Sequence, residues 1–441
     1  MKDYSNQTFT SNGRKYTFVA VVSSGDEKLQ FTLDNMMVEC FEYESALNDL
    51  VVRGSITYTD QYGNIDKLLE RPSSHCQVLF VRNDIKYDGD IEIEKPSEIE
   101  RFEQNFLVEN LTILERQGDS VKYKIELVTT NIYKCLANID YTNYNTGNEQ
   151  IFDIIKGCFQ KSELVCDAES FDKTKTKVKI PYITNGNDDA FSVTKHLLNK
   201  LYYLKDKDDS VKFLFYNYYR DMYQLFDMKN EKTATGTETV ILSLLRNTEE
   251  AFIEEEEINI GTVTRFPTSR LMESVFDKEF YDYDYTANQF LHRNIESKSV
   301  TDEYFSKTFM DPTKVVKKTL PISPEAKLQY LRRGTYWNND FAIYDDLATH
   351  LTKNNALMVE TSGMLLRFPA MMVSVEIDRP KNELTVEDPQ VLQDLMTRYQ
   401  GLEGVWISSR VHSYVYPPAG RFRQILTLMR NYTNNIKDQK K

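Results

Sequence analysis

The side chains best able to do chemistry are few and dispersed. The five histidines, His75, His196, His292, His350 and His412, include no pair at metal-ligand spacing on one element, and none sits in an H-E-x-x-H or H-x-H pattern. His412 stands mid-strand in SSRVHSYVY, on the polar register with Arg410 and Tyr414. There it could act as a ligand, a general base, or a hydrogen-bonding surface or interface residue. Asp282 and Asp284, in YDYDY, have the i, i+2 spacing that could hold a hard cation on one side of a strand. The run Glu254, Glu255, Glu256 and Glu257 offers the same charge, but without a Gly-containing ligand loop a solvated strand face is the better reading of both groups. The cysteines, Cys40, Cys76, Cys135, Cys158 and Cys166, are odd in number and lack any C-x-x-C, so free thiols in a reducing cytoplasm are expected. No nucleophile elbow, phosphate loop or dinucleotide fingerprint occurs. The expectation is therefore no catalytic residue, no metal and no cofactor.

Composition narrows the class. At 441 residues the chain can bury a large core and hold several domains. Tyr (28) and Phe (24) dominate an aromatic fraction of 12%, which favours strands over helices. The net charge of −13 argues against a general phosphate-neutralising nucleic-acid binder, yet leaves open an acidic passage through which DNA slides without sticking. No apolar leader opens the sequence and no window approaches 18 apolar residues, so neither a signal peptide nor a membrane span is expected.

The elements that must position these residues follow from periodicity. From residue 16 to about 130 the period is two: KYTFVAVV, LVVRGSITYT and HCQVLFVR read as strands, NDIKYDGDIEIE as a hairpin through Asp88-Gly89, and FLVENLTILE with SVKYKIELV as a hairpin over Gly118. Short strands with turns between them suggest an antiparallel barrel or sandwich. At residue 147 the period changes. NEQIFDIIKGCF places Ile151, Ile154, Ile155, Cys158 and Phe159 on one helical face, and DDAFSVTKHLLNKLYYL does the same with Val193, Leu197, Leu201 and Leu204. VKFLFYNYY and MYQLFDM read as a strand pair, ETVILSLL as another strand. Residues 265–340 lack clean periodicity, and FYDYDYTANQF and RRGTYWNNDF look like extended arms or loops. Helices are expected over FAIYDDLATHLTKNN and after Asp388-Pro389, strands at ALMVE, GMLLRFP and MMVSVEI, and a closing hairpin of GVWISSRVHSYVY and RFRQILTLMR over Pro417-Pro-Ala-Gly420. This divides the chain into a first β-domain (1–146), an α+β insert (147–235), return strands and an arm region (236–340) and a second β-domain (341–441).

Two stretches carry a resemblance. LNDLVVRGSITYTDQYGNIDKLLERPSSHCQVLFV resembles the first tube-like domain of tailed-phage baseplate hub proteins, relatives of type VI secretion spike hubs, where an apolar–G–x–I–x–Y strand meets an aspartate–glycine turn and a Pro-containing entry to the next strand. GLEGVWISSRVHSYVYPPAGRFRQILTLMR looks like the end of the second such domain. The resemblance implies a mainly β fold, two tube-like antiparallel β-barrels flanking an α/β insertion. It further implies a homotrimer forming a pseudo-sixfold ring that joins a tail tube protein to a central spike protein, contacts baseplate wedge proteins and lets phage DNA pass. Such a protein is made in the host bacterial cytoplasm and resides in the virion. Under it, Tyr281, Tyr283, Tyr285, Tyr336, Trp337, Trp406 and His412 become candidate interface residues, and Glu254 to Glu257 with Asp282 and Asp284 candidate channel-lining residues. Another tube-like tail or secretion adaptor ring, or a β-rich hydrolase built around His412, Arg410 and nearby acids, are the alternatives.

Overall fold

Alternating side chains and tight turns lay the first third of the chain into one curled antiparallel array. The computed structural model describes residues 7–61, 63–69, 73–84, 87–88, 91–92, 97–136, 150–173, 188–201, 212–227, 234–243, 258–262, 277–284, 289–295, 327–333, 356–378 and 403–429. The strands are β1 (Thr8–Ser11), β2 (Arg14–Ser24), β3 (Gln30–Thr32), β4 (Val38–Ala46) and β5 (Arg53–Asp60), and after the one-turn helix α1 (Asp66–Leu69) comes β6 (Ser74–Asp84). The expected hairpin at Asp88 is the short pair β7 (Tyr87–Asp88) and β8 (Ile91–Glu92), followed by the long β9 (Ser97–Gln117) and β10 (Ser120–Thr129). Hydrogen bonding orders them β1-β2-β6-β9-β10-β5-β4, with β3 against β2. The β9–β10 turn closes on Gly118 at φ +61°, a left-handed conformation that glycine adopts without steric cost.

After α2 (Ile132–Cys135), the expected insert holds α3 (Ile151–Lys161), α4 (Ala168–Lys173) and α5 (Ala190–Leu201) and ends in the expected strand pair β11 (Lys212–Asn217) and β12 (Met222–Asp227). All five apolar residues read onto one face of α3 are fully buried, as are Val193 and Leu197 of α5. They join the aromatic core of the first array, where Phe41, Tyr43, Phe80 and Phe102 meet. Tyr223 of β12 stitches the two together: its hydroxyl donates to Leu50 O (2.9 Å) and accepts from Asn131 Nδ2 (2.5 Å), with Cys135 Sγ at 3.1 Å.

The remaining strands are β13 (Thr237–Ser243), β14 (Ile258–Thr262), β15 (Asp277–Asp284), β16 (Gln289–Ile295), β17 (Lys327–Arg333), β18 (Ala356–Ser362), β19 (Met372–Asp378), β20 (Gly404–Tyr416) and β21 (Arg421–Met429). Six of them form a hydrogen-bonded cycle, β20-β19-β13-β14-β18-β21 and back to β20. Its core is Val240, Leu357, Val359, Val373, Val375, Trp406, Val411, Leu426 and Leu428. β20 also pairs with β4, so one 14-stranded sheet passes from the first array into the second. The fold is thus mainly β with a helical insert, as the periodicity indicates.

Two expectations are corrected. GMLLRFP is not a strand: residues 363–371 are a loop whose Leu365 and Phe368 plug the first core. Gly363 lies so close to Phe422 that a Cβ would come within 2.2 Å of its ring, and Ala370 takes φ +66°, so the segment cannot run as a regular ladder. FYDYDYTANQF is not wholly an arm: residues 280–284 lie in β15 and 289–290 in β16, which with β17 make a separate three-stranded sheet, and 285–288 lie outside the described residues. The helices expected at FAIYDDLATHLTKNN and after Asp388 lie outside the described residues.

Candidate functional site

The alternation of CFEYESA in β4 and RVHSYVY in β20 sorts side chains onto two faces of the junction between the arrays. Phe41, Tyr43, Val411 and Val415 turn inward and are buried; Cys40, Glu42 and Glu44, with Arg410, His412, Tyr414 and Tyr416, turn the other way. The antiparallel register runs from Arg410 opposite Ala46 to Val415 opposite Phe41, and sets His412 opposite Glu44 and Tyr414 opposite Glu42.

His412 is therefore clamped between carboxylates of the other array. Its Nε2 lies 3.7 Å from Glu42 Oε2 and its Nδ1 3.6 Å from Glu44 Oε2, while the Tyr414 hydroxyl is 2.9 Å from Nδ1. The imidazole beside it holds Glu42 down to about 2, helped by the Ser55 hydroxyl donating at 2.7 Å, against the opposing effect of burial. Burial pushes the Cys40 thiol up to about 11 and the Tyr416 phenol up to about 12, so both stay protonated at neutral pH. The same face continues outward in exposed pairs, Arg410–Glu44 (3.2 Å), Lys122–Glu39 (2.5 Å) and Arg423–Glu360 (3.0 Å). Pairs this exposed contribute little stability singly. They place paired charges on this face on both sides of the junction.

A second charged cluster is buried under it. Arg367, on the plug loop, is 3% exposed. Its Nε donates to both Glu238 carboxylate oxygens at 2.9 Å, and Nη1 to Gln424 Oε1 at 3.1 Å, to Thr361 Oγ1 and to Ser362 O. The same loop is held from the insert by Tyr218, whose hydroxyl donates to Arg367 O (3.1 Å), and from β2 by Tyr16, donating to Gly363 O (3.3 Å).

The candidate residues fall in different places. Trp406 is buried in the second core, and His412 is half-buried at the junction. Tyr281 is half-buried in β15, stacked on His292 with centroids 4.7 Å apart, and donates to Glu279 Oε2 at 3.2 Å. Tyr283, Asp282 and Asp284 share that strand, in register with Phe290, Leu291 and Gln289. Tyr285, Tyr336, Trp337 and Glu254 to Glu257 lie outside the described residues. Among the described residues no three His, Cys, Asp or Glu side chains are placed to hold a metal, and no helix is long and apolar enough to cross a membrane. Sequence reasoning found His412, Arg410 and Tyr414 but not their partners Glu42 and Glu44; acids at alternate positions of a strand were the available signal.

No family model and no curated protein matches the chain. Among the solved structures similar to it over most of its length are tail proteins and a PdpA-VgrG complex, at low identity. One is the tail protein from Neisseria meningitidis MC58 (9% identity, 94% of this chain and 97% of that one, TM-score 0.47). Another is the prophage MuSo2 43 kDa tail protein from Shewanella oneidensis (8%, 94% and 98%, TM-score 0.46). A Francisella PdpA-VgrG complex is matched at 12% identity over 95% of this chain and 59% of that one, TM-score 0.44.

Proposed function

We propose that the chain is a structural protein of a phage tail baseplate, a hub whose three copies form a pseudo-sixfold ring between tail tube and central spike. The observation that carries this reading is the β4·β20 junction: two strand arrays of one chain joined edge to edge, with one polar face running across the join. A chain built this way supplies two adjacent segments of a ring, and three copies make six, which reconciles a sixfold tube with a threefold spike. The two sequence stretches that resemble hub proteins lie in these arrays, and the second contains β20 and β21. The acidic balance of −13 suits a passage that phosphate backbones traverse without adhering. On this reading the protein is no enzyme, its site is a joint rather than a pocket, and it belongs to the virion with tube, spike and wedge proteins as partners.

The experiment is solution mass by light scattering over a concentration series, followed by electron microscopy. A trimer with a central pore is expected. A protein that stays monomeric up to the highest soluble concentration would refute the ring.

A further inference from the structure

The plug loop, residues 363–371, is gripped by three parts of the molecule at once. From the insert, the buried Tyr218 places its hydroxyl 3.1 Å from Arg367 O and 3.4 Å from Leu365 O, and its ring meets Phe368 edge-on with centroids 5.1 Å apart. In the first array, Tyr16 donates to Gly363 O, and Leu365 and Phe368 lie in the core. On the side of the second array, Ser408 Oγ donates to Phe368 O (2.7 Å) and accepts from Met371 N (3.1 Å). Ala370 N donates to Ser408 O (2.8 Å), and Thr235 N donates to Ala370 O (3.1 Å). Ala370 stands at φ +66°, a conformation that a residue other than glycine keeps only where its surroundings over-determine it.

These grips are links of one buried polar chain. Gln104 of β9 donates from Nε2 to Tyr218 O (2.8 Å), and the Tyr218 hydroxyl donates to Arg367 O. The Arg367 side chain reaches Glu238 of β13, Thr361 and Ser362 of β18, and Gln424 of β21. Gln424 Nε2 donates onward to Ser413 Oγ (3.0 Å) and Met364 O (2.9 Å). Gln104, Tyr218, Arg367, Gln424 and Ser413 are all buried, so water does not replace a broken link unless the site opens. The turn that carries Tyr218 is stiff in its own right. Asn217 Oδ1 accepts from Tyr219 N (3.1 Å) and Arg220 N (3.3 Å), and the Tyr216 hydroxyl donates to Asp221 Oδ1 (2.6 Å). A displacement of the insert therefore passes to the plug loop instead of being absorbed in the turn.

We propose that the plug loop is a strap coupling the insert to the second array, so that loosening either one loosens the other through Tyr218, Arg367 and Glu238. The coupling belongs to the single chain and does not require the ring. Coupling between two sites at equilibrium is reciprocal, and each end must feel a change at the other by the same factor.

Native-state hydrogen exchange of the full chain, read by mass spectrometry, tests this in both directions. Tyr218→Phe removes the hydroxyl, keeps the ring on Phe368 and touches neither β13 nor β21. It is expected to speed exchange in residues 237–243 and 421–429 about two- to tenfold, the factor that one buried hydrogen bond carries. Glu238→Gln, at the far end, is expected to speed exchange in residues 214–225 by a similar factor. Residues 120–129 of β10 lie outside the chain of bonds and serve as the control, unchanged in both variants. A Tyr218→Phe effect confined to the insert and the loop overturns the strap, as does an equal rise in β10, which would mean general destabilisation. A rise in one direction only also overturns it. If Glu238→Gln fails to fold, the Tyr218→Phe result alone decides.

Discussion

Replacing Arg367 by Met should destabilise the second array by about 3–5 kcal/mol, the cost of removing one partner from a buried ion pair. The structure sets that scale because the guanidinium is 3% and the Glu238 side chain 14% exposed, so neither charge is well hydrated. Arg367→Met strands the carboxylate and removes the guanidinium donor from Thr361 Oγ1 and from Ser362 O, which keeps the Thr361 hydroxyl. The second substitution sharpens the test. Glu238→Gln alone should cost less, about 1–3 kcal/mol, since an amide oxygen can still accept from the guanidinium. Added to Arg367→Met, however, it should restore stability, because the stranded charge disappears; the coupling expected is about 0.5–3 kcal/mol. Unfolding in urea can be followed through Trp406, which sits in the same core as Val240, in a Trp337→Phe background that leaves it the sole tryptophan. Should Arg367→Met cost under about 1 kcal/mol, or Glu238→Gln destabilise it further, the charge-stranding argument is wrong.

Other consequences can be read in parallel. Glu42 titrates near 2 in the folded protein against 4.5 unfolded, so its contribution is present above about pH 4.5 and is lost as pH falls towards 2; the stability deficit of Glu42→Gln relative to wild type should shrink over that window in acid titrations. Gly363→Ala should cost about 1–3 kcal/mol, because the new methyl meets the Phe422 ring at 2.2 Å, and near-UV circular dichroism should report loosened aromatic packing. Burial raises all three thiols, so access sets the order: native protein should react with a thiol reagent first at the half-buried Cys40 and Cys166, while the buried Cys76 reacts only on unfolding; mass spectrometry of timed alkylation checks the order.

The elements that announced themselves were those whose pattern is local. Ile151 to Phe159 form an apolar stripe that packs as read, and the β20–β21 hairpin follows from alternation on either side of Pro417 and Gly420. GMLLRFP misled because an apolar run records burial and not conformation: Leu365 and Phe368 are buried from a loop. The middle of the chain misled in the opposite way. The three-stranded sheet there includes a parallel partner, β17, more than thirty residues beyond β16, a pairing no short-range period encodes. The junction site was half legible for the same reason. His412 was conspicuous within its strand, whereas Glu42 and Glu44 stand some 370 residues earlier and reach it only through the pairing of β4 with β20.

The hairpin of β20 and β21 has a share in both cores. Trp406, Val411, Leu426 and Leu428 belong to the second, but Val415 and Phe422 lie in the first, where Phe422 packs 4.9 Å from Phe80 and its N–H donates to Ser11 Oγ at 2.9 Å. Ser11 and Phe422 are 411 positions apart. On a ribosome adding about 5–20 residues per second, the first array must wait roughly 20–80 s for the strand tips that complete it. Throughout that interval Tyr16, Phe80 and their neighbours have an unfilled place beside them. The order of synthesis thus leaves apolar surface of the first array uncovered until the end of translation. The first array is therefore complete only in a whole chain, since Val415 and Phe422 of its core come from the last two strands.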